Sequence, residues 1–223
     1  MRGADPTLIL LFAKAPRPGH VKTRLAAAVG DEHACALYRA FLDDAIALAR
    51  SVPGVTTELW AAGEEDAPAL ADAYPQLRCR VQARGDLGAR MQHALADAIG
   101  RGGGALVIGT DLPTLPQSYL TRALAALEDV VIAPASDGGF WAIGARGRAP
   151  DLTGVRWSTP WAYEDTLARL RAQGREVRLG PRWHDVDEPC DLEQLRRDLS
   201  RDPSAAPCTR AALRALAVSF DRT

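Results

Sequence analysis

Short apolar runs alternate along this chain with longer segments whose apolar residues recur every three or four positions. That alternation is the pattern of a βαβ sheet with helical crossovers. The run Thr7 to Ala13 reads as a buried strand. Asp31 then stands where a helix cap belongs, and Ala34, Leu37, Tyr38, Phe41, Ala45 and Leu48 repeat at helical spacing until Pro53 and Gly54 end the helix. Further strands are predicted over 56–61, 77–82, 105–109, 130–133, 140–144 and 176–179. Helices are predicted over 86–100, 117–127, 160–173, 190–199 and 209–218. A chain of 223 residues has room for one sizeable core. We therefore expect one domain over 1–200, with 201–223 as a proline-bracketed linker and last helix packed on it.

Composition narrows the functional classes. The hydrophobic share of 47% and charged share of 25% are those of a globular protein, which argues against disorder and a membrane protein. The 27 basic residues are balanced by 28 acidic ones, so a basic footprint for nucleic acid is not expected. Cys35, Cys79, Cys190 and Cys208 form no Cys-x-x-Cys pair, which disfavours a zinc knuckle or a redox motif. The apolar run Leu8 to Ala13 is broken by Lys14 and Pro16, too short for a bilayer and without a secretory leader. The expected location is the cytoplasm, with no membrane partner.

Four polar loops each follow directly on an apolar strand: Lys14 to Arg24, Thr110 to Thr114, Ser136 to Gly139, and His184 to Asp191. If the strands are parallel neighbours, these loops share the rim where open sheets bind ligands. The first loop holds Lys14, Arg17, Lys22 and Arg24, and no acidic residue occurs from Pro6 to Gly30. Such a loop suits an anion, with Gly19 permitting close backbone approach and a helix starting near Val21 adding its positive N-terminus. It lacks the Walker spacing, and Gly102 to Gly104 precedes its strand, so neither a P-loop nor a dinucleotide fingerprint is present.

Asp111, at a strand end before Leu112 and Pro113, is a rigid carboxylate suited to Mg²⁺ or Mn²⁺. Asp185 and Asp187 alternate, and one of the two is expected at the rim, with Asp187 the better ligand and Asp185 its understudy. Asp191 is placed to cap a helix, and His184 reads as an orienting or surface group. Asp137 with Gly138 and Gly139 fits either a ligand-hugging turn or a tight hairpin. Trp157, Ser158 and Thr159 precede a proline-led helix, where the hydroxyls could cap it or bind an anion. Glu64 to Asp66 reads as a solvated loop, and Asp43 and Asp44 are assigned no chemistry.

The segments Phe-Ala-Lys-Ala-Pro-Arg-Pro-Gly-His-Val-Lys-Thr-Arg-Leu, Gly-Asp-Leu-Gly-Ala-Arg-Met, Gly-Thr-Asp-Leu-Pro-Thr-Leu, Ala-Ser-Asp-Gly-Gly-Phe-Trp-Ala-Ile-Gly and Arg-Trp-Ser-Thr occur in order from about Leu8 to about Arg197. In this the chain resembles the DUF2064 family, also called radical-SAM/selenodomain-associated transferase type 1. The family belongs with the nucleotide-diphospho-sugar transferases. The resemblance implies an α/β, GT-A-type, Rossmann-like three-layer sandwich with a mostly parallel sheet. The Lys-Thr-Arg-Leu loop and the Asp-Val-Asp-x-Pro-x-Asp-Leu end are also similar to 2-phospholactate guanylyltransferases. In those relatives, aspartates matching Asp111 and Asp187 hold the metal. Phe140-Trp141 departs from the family's usual aromatic pair, and Glu188 stands where Thr is common.

Two enzymatic readings follow. The first is nucleotidyl transfer from a nucleoside triphosphate to a phosphorylated small molecule, with pyrophosphate released. Lys14, Arg17, Gly19, Lys22, Thr23, Arg24 and Thr110 would hold the phosphates, and Asp111 and Asp187 the Mg²⁺ or Mn²⁺. The acceptor would lie against Asp137, Gly138, Gly139, Trp157, Ser158 and Thr159, with Lys22, Asp111 and Asp137 acting in catalysis. The second is glycosyl transfer from an NDP-sugar, with Asp137 as base. A non-catalytic nucleotide-binding protein is the third reading.

Overall fold

The computed structural model describes residues 7–101 and 103–220. Gly102, within the glycine run noted above, and the chain's first six and last three residues lie outside them. Seven strands form one sheet: β1 (Thr7–Ala13), β2 (Val55–Ala61), β3 (Arg78–Val81), β4 (Gly104–Ile108), β5 (Val130–Pro134), β6 (Phe140–Arg146) and β7 (Val177–Leu179). Their order is β3-β2-β1-β4-β6-β5-β7. Every pairing is parallel except the two made by β6, which runs against both β4 and β5. The sheet is therefore mostly parallel, and β1, β2, β3, β4, β5 and β7 all point their carboxyl ends at one rim.

The helices are α1 (Thr23–Val29), α2 (Asp31–Arg50), α3 (Ala67–Ala73), α4 (Leu87–Gly100), α5 (Gln117–Ala125), α6 (Ala162–Ala172), α7 (Asp191–Arg201) and α8 (Pro207–Phe220). Successive residues of a strand face opposite sides of the sheet, and both sides are covered. Ile9 and Leu11 pack with Leu42, Ile46 and Leu120, from α2 and α5. Leu8 and Leu10 pack with Met91, Leu95 and Leu170, from α4 and α6. This explains why β4 and β5 are unbroken apolar runs with all five residues buried. The edge strands β3 and β7 carry arginines instead, which blunts edge-to-edge pairing.

A third apolar cluster joins Leu25 of α1 and Phe41 of α2 to Leu195 of α7 and Leu216 of α8. Asp44, only 5% exposed, reaches from α2 to the start of α8 and accepts the Cys208 and Thr209 amides at 3.0 and 2.8 Å. It is a buried cap donated by another helix, a role its sequence position gave no sign of.

Several elements differ from the sequence expectation. The helix near Val21 begins at Thr23 and has only seven residues, and Gly30 (φ 82°), not Asp31, is the residue before α2. Asp31 and Glu32 lie in the first turn of α2, where carboxylates suit the positive end of the helix. α3 is an element that periodicity did not reveal, because seven residues give too little pattern. Asp66, read as part of a solvated loop, is 6% exposed and paired with Arg17.

Candidate active site

Because their strands run the same way, the loops after β1, β4, β5 and β7 meet on one rim. Lys22 is at the meeting point. Its backbone is left-handed (φ 49°), which is uncommon for a residue with a Cβ, and its carbonyl accepts the Ala26 amide at 2.8 Å to start α1. This backbone turns the side chain inward, where it is only 3% exposed. Its Nζ lies 2.8 Å from Asp111 Oδ1 and 2.6 Å from Asp187 Oδ1. Burial by itself would lower the affinity of this amine for its proton. The two carboxylates outweigh it and hold the ammonium above the usual lysine value.

The loop bearing Asp187 is fixed from two sides. Val186 is fully buried and donates its amide to the Asp111 carbonyl at 2.9 Å. Asp191 accepts the amides of Asp187 and Glu188 at 2.9 and 2.7 Å. Asp191 thus braces the loop that precedes α7, a correction to the capping role expected of it. The expectation that only one of Asp185 and Asp187 faces the rim is also overturned: both line the same cavity. Residues two apart in extended chain share a face, and Val186 between them takes the core side.

The cations of the first loop are less free than their spacing implied. Arg17 is ion-paired with Asp66 and Lys22 with Asp111 and Asp187, while Arg24 lies 3.4 Å from Glu188. The counter-charges absent from the neighbouring sequence are supplied from distant segments. Arg17 is directed to the α3 side of the rim, and Gly19 serves a turn at φ 75°. Neither they nor the exposed Thr23 line the cavities described here. Lys14 is exposed, and Tyr38 fixes its backbone by accepting the Lys14 amide at 2.9 Å. Burial, with Asp111 nearby, pushes the Tyr38 hydroxyl up to about 12 and keeps it neutral.

Two cavities open on the rim and share Phe12, Leu87, Gly109, Asp111 and Asp187. The smaller, of about 270 Å³, lies over β1 and β2 and is lined by Lys14, Lys22, Tyr38, Thr110, Gln82 and Arg90. Gln82 is buried, donates to the Trp60 carbonyl at 2.8 Å and accepts from Arg90 at 3.1 Å. Ala62, Gln82 and Arg90 also line an adjoining space of about 370 Å³ beyond β2 and β3. That adjoining space is charge-balanced, with Glu64 and Glu65 facing Arg84 and Arg90, whereas Lys14, Lys22 and Arg90 make the smaller cavity the basic arm. Gln82, Tyr38 and Arg90 were not singled out from sequence, although Arg90 lies within the Gly-Asp-Leu-Gly-Ala-Arg-Met segment.

The larger cavity, of about 520 Å³, lies on the β5 and β6 side. Its floor and wall include Phe12, Met91, Phe140 and Trp157, with Phe140 and Trp157 edge to face at 6.1 Å. Asp137, Gly139, Ser158, Thr159 and Asp185 supply polar groups, and among the described residues Arg24 is the only cation lining it. Asp137 to Gly139 is the turn of the β5–β6 hairpin, and Asp137 and Gly139 line the cavity. Asp137 Oδ1 accepts the Gly139 amide at 2.9 Å. Gly138, at φ 90°, lies so close to the Pro160 carbonyl that a Cβ there would collide with it. Thr159 Oγ1 donates to the Arg156 carbonyl at 2.7 Å and accepts the Trp161 amide at 3.3 Å, which sets the turn before α6. Ser158 is left-handed there, at φ 59°. Burial first, and then the Asp137 carboxylate, raise Asp185 to about 6.

Asp111 and Asp187 stand in the wall between the arms and direct their oxygens at one cation position, now taken by the lysine ammonium. Asp111 Oδ1 is closed off from solvent and faces the Lys22 ammonium at 2.8 Å. Among the described residues no group of three or more His, Cys, Asp or Glu side chains is arranged to hold a metal ion. Two carboxylates fit a Mg²⁺ or Mn²⁺ that completes its shell with water and phosphate oxygens, and do not fit a closed structural zinc site. His184 is not part of this pair: its Nε2 is 2.7 Å from Asp198 and its ring stacks on Trp183.

A mostly parallel sheet interrupted by one reversed strand and covered by helices on both faces has the architecture of the nucleotide-diphospho-sugar transferases, the GT-A class of α/β folds. Within it the chain belongs to the DUF2064 family, described as "Uncharacterized protein conserved in bacteria", whose profile matches residues 45–159. A crystal structure of a proposed nucleotide-diphospho-sugar transferase from Desulfovibrio desulfuricans G20 is 34% identical, covers 96% of this chain and 97% of that one, and superposes with a TM-score of 0.86. The fold is shared with CMP:2-keto-3-deoxy-manno-octonic acid synthetase complexed with CTP, 12% identical over 88% of this chain and 99% of that one, TM-score 0.56. It is shared also with the inositol-1-phosphate CTP transferase of T. maritima, 14% identical over 90% and 97%, TM-score 0.52. No curated protein matches the chain. No helix among the described residues is long and apolar enough to cross a membrane.

Proposed function

We propose that this protein is a metal-dependent glycosyltransferase that takes an NDP-sugar in the basic arm and a neutral or cationic hydroxyl compound in the acidic arm. The observation that carries this reading is the division of charge across the Asp111–Asp187 wall. Lys14, Lys22 and Arg90 lie on one side, and Asp137 and Asp185, framed by aromatic rings, on the other. A phosphorylated acceptor would bring its own negative charge against those two carboxylates, opposed among the described lining residues by Arg24 alone, 70% exposed on its side chain. At about 4 Å each like-charge pair costs roughly 4 kcal/mol at a surface-like dielectric. The far arm is therefore a poor phosphate site.

In this reading the nucleoside lies over Ala62, Gln82 and Arg90, and its diphosphate runs toward Lys14 and Lys22. Asp111 and Asp187 would hold Mg²⁺ or Mn²⁺, which supplies positive charge to the leaving diphosphate. The sugar crosses the wall into the 520 Å³ cavity, against Trp157 and Phe140. There the acceptor hydroxyl oxygen forms a bond to the anomeric carbon, and the bond from that carbon to the β-phosphate oxygen breaks. The hydroxyl proton passes to Asp137, whose Oδ1 is anchored by the Gly139 amide. Lys14 and Lys22 stabilise the charge gathering on the departing NDP.

Nucleotidyl transfer from an NTP remains the second reading, supported by two lysines on the same arm of the rim. Binding and product assays separate them. NDP-sugars with Mn²⁺ should raise the melting temperature, ligand at a hundredfold over its Kd adding about 2.7 kcal/mol. Slow NDP release without added acceptor should follow. Pyrophosphate released from an NTP would decide for nucleotidyl transfer.

A further inference from the structure

Lys22 is an unusual neighbour for a pair of metal-holding carboxylates. Its Nζ contacts Oδ1 of Asp111 at 2.8 Å and Oδ1 of Asp187 at 2.6 Å, and the aspartates are otherwise open, with side chains 38% and 46% exposed. The side chain is buried, with Nζ over the Phe41 ring at 5.9 Å from its centre. The backbone that aims it is fixed by the Ala26 amide on the Lys22 carbonyl and by the left-handed turn into α1. The ammonium already neutralises the pair that a divalent ion would use. A dication brought to Asp111 Oδ1 would meet that ammonium at close range with little solvent between them, and like charges so placed repel strongly.

The geometry points to a cation exchange: we propose that Lys22 is a resident counter-ion of the metal site, which yields Asp111 and Asp187 to the metal only when a nucleotide's phosphates give its ammonium a new partner. The basic arm supplies that partner's place, since Lys22 and Lys14 line it together with both aspartates. The backbone need not move, because only the long side chain has to swing. Metal and nucleotide are then bound with positive coupling, each tightening the other by the same factor. Lys22 acts as a positioning residue on the metal pair in the free protein and as a phosphate ligand in the loaded one. The inference rests on the proposed metal role of Asp111 and Asp187.

The test is Mn²⁺ binding, followed by the EPR signal of the free ion, to the wild type and to Lys22→Met, Lys22→Gln and Asp111→Asn. Each is titrated alone and with UDP, GDP, ADP and CDP in turn. Exchange requires that the Met and Gln variants, without nucleotide, bind Mn²⁺ at least tenfold more tightly than the wild type. It also requires that they lose most of the further tightening that the preferred diphosphate gives the wild type. Lys22→Gln removes the charge and keeps an N–H donor on a slightly shorter side chain, so it reads the effect if the Met variant does not fold. Nucleotide-free affinity equal to or weaker than wild type in the folded variant overturns the exchange. If Asp111→Asn binds Mn²⁺ and diphosphate as the wild type does, the metal role itself fails and the exchange falls with it.

Discussion

Lys22, Asp137 and Gly138 each carry a different burden at the site, and single substitutions separate them. Asp137 has one oxygen on the Gly139 amide and the other available to an acceptor. Asp137→Asn keeps the turn's acceptor and removes the base. We expect turnover to fall by about 10²–10⁴-fold with donor affinity within a factor of about two, measured by NDP release and calorimetry. Gly138→Ala tests the backbone instead. Its φ of 90° and the nearby Pro160 carbonyl leave no room for a methyl group, so unfolding free energy should drop by about 2–3 kcal/mol in a denaturant titration. The loops that meet on the rim were visible in the sequence because each follows an apolar strand, yet the partners of their charged residues were not. The stretch from Pro6 to Gly30 has no acidic residue, and the acids that face its cations come from positions 66, 111, 187 and 188. Pairing between loops so far apart in the chain depends on strand order, which local spacing does not encode.

Among the elements, β5 and β7 are stapled at the end away from the site. Asp129 precedes β5, and Arg175 precedes β7 with its side chain 2% exposed. Arg175 Nε donates to Asp129 Oδ1 at 2.8 Å, and the Glu176 amide donates to Oδ2 at 2.8 Å. The Arg175 hydrogen bonds hold the Asp129 carboxyl below the usual carboxylate range. Such a group contributes stability that is present above the unfolded carboxylate value of about 4 and is lost as pH falls through the lower folded value. Asp129→Asn should therefore cost about 2 kcal/mol at pH 7. The gap to the wild type should stay flat from about pH 5 to 8 and narrow below about pH 4, followed by urea unfolding across pH. Ligand binding at the opposite rim should be unaffected. At the far end of the chain, Asp44→Ala should cost about 2 kcal/mol by leaving the buried Thr209 amide without its acceptor. The long elements were legible because α2 and α4 repeat their apolar residues over many turns. α3, of seven residues, was not, and of the equally short α1 only the approximate start was read. The reversed direction of β6 is a property of its Asp-Gly-Gly hairpin, which the sequence left open between a turn and a ligand loop.

At the scale of the whole molecule, the sheet does one thing for function. It sets six carboxyl strand ends on a single rim, so that a basic arm over β1 and β2 and an acidic arm over β5 and β6 adjoin at two aspartates. Net charge hides this arrangement, because 27 cations and 28 anions balance over the chain while the two arms differ in sign. Two of the four cations of the first loop, Arg17 and Arg24, are matched to Asp66 and Glu188, and the proposed diphosphate donor asks less of the loop than a triphosphate would. Calorimetric binding of nucleoside diphosphates, with and without Mg²⁺, to the wild type, Asp111→Asn, Asp187→Asn and Asp137→Asn tests the division directly. The account predicts metal-dependent binding that weakens at least tenfold in the first two variants and stays within twofold of wild type in Asp137→Asn. Equal binding by all four proteins, or binding lost through Asp137 and kept without Asp111 and Asp187, would contradict it.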